Sequence, residues 1–410
     1  MDKLKRIYDT FVSSGRFISA TPYGSGHIND TYLVKVDEDV EYILQRINGN
    51  VFKDIPKLVR NKELVCGHIR NRLIRHKVSD ITRKYITYFY TDKGNAYYKD
   101  YEGNYWTLSL FIKGSKSYDV IPDSQIAYQV GIGFGEFENR ISDFDAKLLI
   151  ETIPLFHNVP RRQRELKEAL AKAEPDRIEA SKELLEYLKK FDNEMLELQR
   201  MKDEGILPLR VTHNDTKANN LLFDHNDHPL CVIDLDTVMP GIVHYDFGDA
   251  IRSSCNTAGE ETRNLDEVHF NMNYFEAFTA GFMEKAKHLF TLKEKKTLAQ
   301  GCTLMTYLQA VRFLTDYLDG DHYYPITYPE HNLQRAKVQV RLLQDMERQF
   351  DKMNQFILKS IIQKNGSFRY RFPTLQDKIS LLFLILAALV CFTRLGTAIV
   401  TTFSFTFALL

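Results

Sequence analysis

Apolar and polar residues alternate with period two along Tyr32–Val36 and Glu41–Ile47, the pattern of strands with one buried face. Tyr85–Tyr90 and Tyr105–Ile112 are rich in β-forming residues and bounded by Gly or Asp turns, which predicts two further strands. Between them, in 52–76, Leu58, Leu64, Val65, Ile69 and Leu73 fall near helical spacing. From residue 122 onward the pattern turns helical: Pro122–Phe144 opens with Pro near a first turn. The segment 161–203, dense in Arg, Lys, Glu and Leu, predicts a long amphipathic helix or a helix pair. Segments 265–290, 293–318 and 330–364 repeat that character. One stretch interrupts it, 206–250, with short apolar strands separated by Asp, Asn, His and Gly. The expected fold is α+β, a small β-rich lobe over 1–112 and a larger helical lobe over 113–365 that holds a polar hairpin region.

Composition narrows the class without naming a chemistry. With 44% apolar and 26% charged residues in 410, the chain can bury large cores. Its 54 basic residues balance 54 acidic ones, which argues against a nucleic-acid partner but leaves room for a small anion in a local pocket. The five cysteines form no C-x-x-C pair, so reduced thiols in a cytoplasmic protein are expected, and separately a monomer is the expected state. Residues Met1–Arg6 lead into a polar stretch with no apolar h-region, hence no secretory signal. The remaining segment, 366–410, ends in the apolar tail 379–410, where Arg394 is the single charge. Basic residues Lys359, Lys364, Arg369, Arg371 and Lys378 precede it, as for a tail anchored in a membrane. Against an anchor, the uninterrupted run Ile379–Thr393 is short of the roughly 20 residues that cross a bilayer. A buried hairpin or a plain extension are the competing readings.

The informative segment is Val211–Phe223, which contains His213-Asn214-Asp215 and, after Lys217, Asn220. Beyond a turn comes Leu230-Cys231-Val232-Ile233-Asp234, an apolar strand delivering an acid. Phosphoryl transfer needs these parts. A carboxylate must orient an acceptor hydroxyl and take its proton, which suits Asp215. Mg2+ prefers oxygen ligands and few protein contacts, which suits the Asn220 amide and the Asp234 carboxylate. This is the kinase order of base, Asn and metal-binding Asp, with ATP as donor. Lys217 could stabilise the transferring group, and His213 reads as a structural hydrogen-bonder because Asp215 already holds the acceptor position. The bland alternative is a polar hairpin whose Asp and Asn residues cap turns.

The runs His213–Asn220, Val232–Gly241 and Tyr245-Asp246-Phe247-Gly248-Asp249, with Gly24–Tyr32 early and Arg312–Leu318 late, resemble the aminoglycoside phosphotransferase and choline kinase superfamily, and within it the N-acetylhexosamine 1-kinases. The resemblance covers about residues 15–360 and not the tail. It implies a two-lobe, protein-kinase-like fold and transfer of the ATP γ-phosphate to the anomeric hydroxyl of GlcNAc or GalNAc. It also implies that the sugar is held by Asp215, Arg312 and Tyr323, with His27 a weaker candidate, and that Asp246 buttresses the catalytic loop.

Gly24-Ser25-Gly26 could cover the phosphates, although a short G-x-G is also an ordinary hairpin turn. On the next strand protein kinases place a phosphate-clamping Lys. This chain has Gln45-Arg46 there, so Arg46 is the candidate clamp and Glu63 its candidate ion-pair partner. Asp246-Phe247-Gly248 is rejected as the metal motif because Asp234 already fills the strand position. Gly131, Gly133 and Gly135 sit in a helical pattern and read as close helix packing. His157 and His269 lack ligand partners, and the Tyr-rich stretch Tyr317–Tyr328 suits a sugar-contacting loop. Two rivals stay open: a kinase for an aminoglycoside, choline, homoserine or other small hydroxyl acceptor, and a membrane-tethered pseudokinase that binds nucleotide without turnover.

Overall fold

The computed structural model describes residues 2–24 and 28–362. Ser25, Gly26, His27 and the proposed anchor at 379–410 lie outside them. No helix among the described residues is long and apolar enough to cross a membrane.

The first lobe is an antiparallel sheet. After helix α1 (Asp2–Tyr8) come β1 (Phe17–Pro22), β2 (Asp30–Val36) and β3 (Glu41–Ile47), then helix α2 (Ile55–Arg75) and β4 (Tyr88–Phe89), β5 (Tyr98–Lys99) and β6 (Tyr105–Leu110). The order is β1-β2-β3-β6-β4, with β5 on β6. Period-two alternation gives the sheet two different faces. Val34, Tyr42, Leu44, Trp106 and Leu108 form one face with Ile7, Tyr8 and Phe11 packed on it. Ile47 belongs to the other, where Phe52, Ile55, Leu58 and Val59 bring in α2. Asp54 caps that helix by accepting from the Lys57 amide, and Pro56 sits in its first turn, where a missing N–H costs nothing. The expected strand at Tyr85–Tyr90 shrinks to Tyr88–Phe89, because only these two residues find register with β6.

The second lobe is helical around a small β insert. Its elements are α3 (Ser124–Ile141), α4 (Val159–Leu170), α5 (Pro175–Lys189), α6 (Leu196–Asp203), β7 (Arg210–Thr212), β8 (Leu221–Phe223), β9 (Pro229–Val232), β10 (Met239–Gly241), α7 (Val243–Ser254), α8 (Met272–Ala286), α9 (Leu292–Leu318) and α10 (His331–Ile362). The span read as one helix or a pair, 161–203, is three helices. Pro175 starts α5 and cannot continue α4, since it has no N–H to donate and its ring clashes with the preceding turn. Helix α9 is the spine: Leu304, Leu308, Val311, Leu314 and Leu318 lie in one core with residues of α4 to α7 and α10. A capping box, Thr291 with Glu294, fixes its start.

The glycines of α3 do pack helices closely. A Cβ at Gly131 would overlap the Phe278 carbonyl of α8, and one at Gly281 of α8 would overlap the Tyr128 carbonyl. The contact is reciprocal, and it seats α3 under the insert: a Cβ at Gly133 would meet Leu221. The insert itself is two antiparallel pairs, β7 with β10 and β8 with β9.

Candidate active site

The loop after β7 is held from below by one buried carboxylate. Asp246, in the first turn of α7, accepts from the backbone N–H groups of His213 and Asn214, both at 2.7 Å. Its own carbonyl accepts from Thr216 Oγ1 at 2.6 Å. Asn214 takes the left-handed conformation, φ 65°, which Asn tolerates better than most residues. Its side chain is tied to the carbonyls of Thr212 and Thr237 at 3.1 and 3.0 Å. His213 is buried, and its contacts assign the neutral tautomer: Nε2–H donates to the Ile233 carbonyl at 2.8 Å while Nδ1 accepts from the Asp215 N–H at 3.2 Å. It bridges the loop to β9, the structural part read from the sequence. His157 donates from Nε2 to the Asn214 carbonyl at 3.1 Å, and burial lowers its pKa to about 3, so it stays neutral.

This cradle presents Asp215 half-buried. Its Oδ2 is shared: Asn220 Nδ2 donates at 3.1 Å and the Lys217 ammonium lies at 3.4 Å. Oδ1 has no hydrogen bond among the described residues, so one oxygen is available to a hydroxyl. Burial works against the charge, yet neighbouring cations, Lys217 foremost, outweigh it and hold the Asp215 carboxyl below its ordinary value. Lys217 is pushed up in return, chiefly by Asp215, and stays cationic.

Asn220 and Asp234 meet at the open end of the β8–β9 hairpin. The Asn220 carbonyl accepts from the Ile233 N–H at 2.9 Å, one residue before Asp234. The Asn220 amide nitrogen is committed to Asp215, which turns its side-chain oxygen outward from that bond. Asp234 is exposed, in the left-handed region at φ 59°, and its carboxylate has no hydrogen bond or ion pair among the described residues. Partial desolvation by the loop around it, then the charges of Asp236 and Asp215, raise its pKa above the ordinary carboxylate value. An uncommitted amide oxygen and a carboxylate crowded by other carboxylates fit a hard divalent cation, which would relieve that repulsion.

A second group surrounds Asp215 on the side of α9. Arg312 Nη1 bonds Gln309 at 3.0 Å and its guanidinium lies 4.8 Å from the Phe156 ring and 5.5 Å from the Tyr324 ring. The loop after α9 is gathered by Asp316, which accepts from the N–H groups of His322, Tyr323 and Tyr324 at 3.0, 2.8 and 2.9 Å. Tyr323 is exposed and touches Tyr324, ring centroids 4.8 Å apart. The Tyr324 hydroxyl is buried with no partner among the described residues. Behind Asp215, Arg252 joins Asp249 at 2.9 Å and Glu260 at 2.6 Å, both part of the field felt by Lys217.

The structure thus brings together Asp215, Lys217, Asn220, Asp234 and Arg312. It does not bring Arg46 to them. Arg46 shares the face of Tyr42 and Leu44, covered by α1, and its guanidinium is engaged by Asp30 and Asn104. No ion pair joins it to Glu63 among the described residues. Gln45 lies on the opposite face, bonded to Thr31 Oγ1 at 3.3 Å. Gly24 is exposed at φ 82°, ahead of the undescribed Ser25–His27. The sequence reading missed Lys62, whose buried ammonium pairs with Asp236. A Lys in an amphipathic helix looks like a solvated residue, and only the doubled acid Asp234-Leu235-Asp236 hinted that a cation was needed.

Under the cradle sits a second acid. Glu138 of α3 is buried beside Asp246, and burial together with the Asp246 charge raises its pKa well above the ordinary carboxylate range. A raised folded pKa contributes stability that is present below the unfolded value, near 4.5, and is lost as pH rises towards the folded one. Glu138→Gln keeps a hydrogen-bond donor without a proton to lose. Urea denaturation is therefore expected to show wild type losing stability relative to the variant as pH rises above about 4.5. Parallel curves would refute the neutral Glu138.

The model of the phosphotransferase enzyme family, APH, matches residues 19–274, a span that includes most of the sheet, the loop at Asp215 and the hairpin. Among solved structures, the chain resembles an aminoglycoside phosphotransferase from Alicyclobacillus acidocaldarius at 12% identity and TM-score 0.55, covering 86% of this chain and 96% of that one. It also resembles a microcompartment-associated aminopropanol kinase at 14% and 0.53, with coverage of 86% and 98%. A Plasmodium vivax ethanolamine kinase follows at 11% and 0.52, covering 81% and 84%. These likenesses concern the two-lobe fold. With more than half its length matched, the chain belongs to the phosphotransferase enzyme family.

Proposed function

We propose that the protein transfers the γ-phosphoryl group of ATP to the anomeric hydroxyl of an N-acetylhexosamine, GlcNAc or GalNAc. The observation that carries the phosphotransfer is the uncommitted Oδ1 of Asp215, whose other oxygen is held by Asn220 and Lys217. Asp215 orients the sugar hydroxyl and takes its proton as the bond to phosphorus forms. Lys217 faces the charge that develops on the transferring oxygens. Asn220 Oδ1 and Asp234 would hold Mg2+, which supplies neutralisation of the ATP phosphates. Positioning does the remaining work, with no covalent intermediate on the protein.

A neutral acceptor is favoured by the charge around Asp215. With Asp234 given to the metal, the cations Lys217, Arg252 and Arg312 match the acids Asp215, Asp249 and Glu260, so the surroundings carry no acidic excess to attract a polycation. The Arg312 guanidinium and the unpartnered Tyr324 hydroxyl offer donors to sugar oxygens. With GlcNAc, GalNAc, glucose, choline and kanamycin supplied separately, acceptor-dependent ADP release is expected to favour the acetamido sugars over kanamycin and choline by about 10²-fold or more in kcat/KM. Faster turnover of either cation would transfer the reading to an amino-alcohol or aminoglycoside kinase. Nucleotide binding without turnover on any acceptor would favour the pseudokinase.

A further inference from the structure

The metal-side loop is gripped by three side chains from the β-rich lobe, and none of them was needed to build the site. Lys62 of α2 is 2% exposed and its ammonium lies against the Asp236 carboxylate, itself 4% exposed. Asn29, from the loop before β2, donates to the other Asp236 oxygen and accepts from the Asn48 N–H at 2.9 Å. Next to Lys62, Asn61 donates to the Val238 carbonyl at 2.9 Å and the Ile150 carbonyl at 2.8 Å. The stretch 234–238 is therefore fastened at 236 and 238, while Asp234 at its start holds a left-handed backbone, which Asp adopts more readily than most residues. A buried ammonium and a buried carboxylate each cost too much to leave alone, so the pair moves as one piece.

We infer that Lys62 is a positioning residue: through Asp236, and together with Asn29 and Asn61, it sets Asp234 as a metal ligand. In protein kinases a strand Lys paired with a helix Glu ties the small lobe to the phosphates. Here the strand offers Gln45, and the cation comes from the helix while the acid comes from the metal loop. The inference rests on the proposed role of Asp234 but not on the identity of the acceptor.

Its test therefore contains no acceptor. Mn2+ binding to the full chain with saturating ADP is followed by electron paramagnetic resonance, beside thermal unfolding. Lys62→Met is expected to weaken Mn2+ binding by about 10- to 100-fold, the usual effect of losing a partner behind a ligand, and Lys62→Arg to recover most of it. Asn29→Ala, at a part-exposed position that should not endanger folding, is expected to weaken it by about 10-fold. A purely structural Lys62 would lower the unfolding midpoint and leave the Mn2+ constant of the folded protein within twofold, which would overturn the inference. If Lys62→Met does not fold, Asn29→Ala decides alone, and an unchanged constant overturns it. Wild type that binds Mn2+ no better than Asp234→Ala would overturn the inference and the metal site together, whereas a failed acceptor panel leaves it standing.

Discussion

Asp215→Asn is expected to lower kcat by about 10²- to 10⁴-fold, the range contributed by a positioned base, with nucleotide affinity and folding retained. The amide is nearly isosteric, so the donors at Asn220 and Lys217 still find an oxygen, but Oδ1 or its replacement nitrogen can no longer take a proton. The ion pair lost with Lys217 is about a third exposed, and such pairs contribute at most about 1 kcal/mol. Steady-state kinetics, ADP titration and thermal unfolding separate these effects. A kcat within tenfold of wild type would remove Asp215 as the base.

Asp246→Ala carries the second large effect, and it acts on both stability and rate. The carboxylate satisfies two buried backbone N–H groups and no other described acceptor serves them. Orphaning each costs about 1–3 kcal/mol, so a loss of about 2–6 kcal/mol in urea denaturation is expected. The folded remainder should also turn over about 10²-fold more slowly, because Asn214 would relax and displace Asp215 by a fraction of an ångström or more. Asp246→Asn, which keeps one acceptor, should fall between. A stability change below about 1 kcal/mol would show that the loop is held by other contacts.

Much of this was readable along the chain because the relevant contacts are local. His213, Asp215, Asn220 and Asp234 lie on one loop and one hairpin, so spacing alone placed them together. Helix 52–76 appeared as Ile55–Arg75, and the glycines of α3 announced a close crossing. What remained hidden depends on distant partners. Lys62 and Asp236 are far apart in sequence, and nothing in an amphipathic helix tells a buried Lys from a solvated one. The strand alternation does set Arg46 beside Tyr42 and Leu44, but which face meets α2 is decided by tertiary packing. Likewise Asp316 gathers three amides of the Tyr-rich loop, and that capture sets the Tyr324 ring beside Arg312 with Tyr323 against it.

The measurement that tests the central claim most directly is phosphorus NMR of the product formed by the full chain from ATP, Mg2+ and GlcNAc, with Asp215→Asn alongside. The account predicts a new phosphate resonance coupled to the anomeric proton and absent with the variant. A resonance coupled to the C6 protons, or an anomeric product formed equally well by Asp215→Asn, would contradict it.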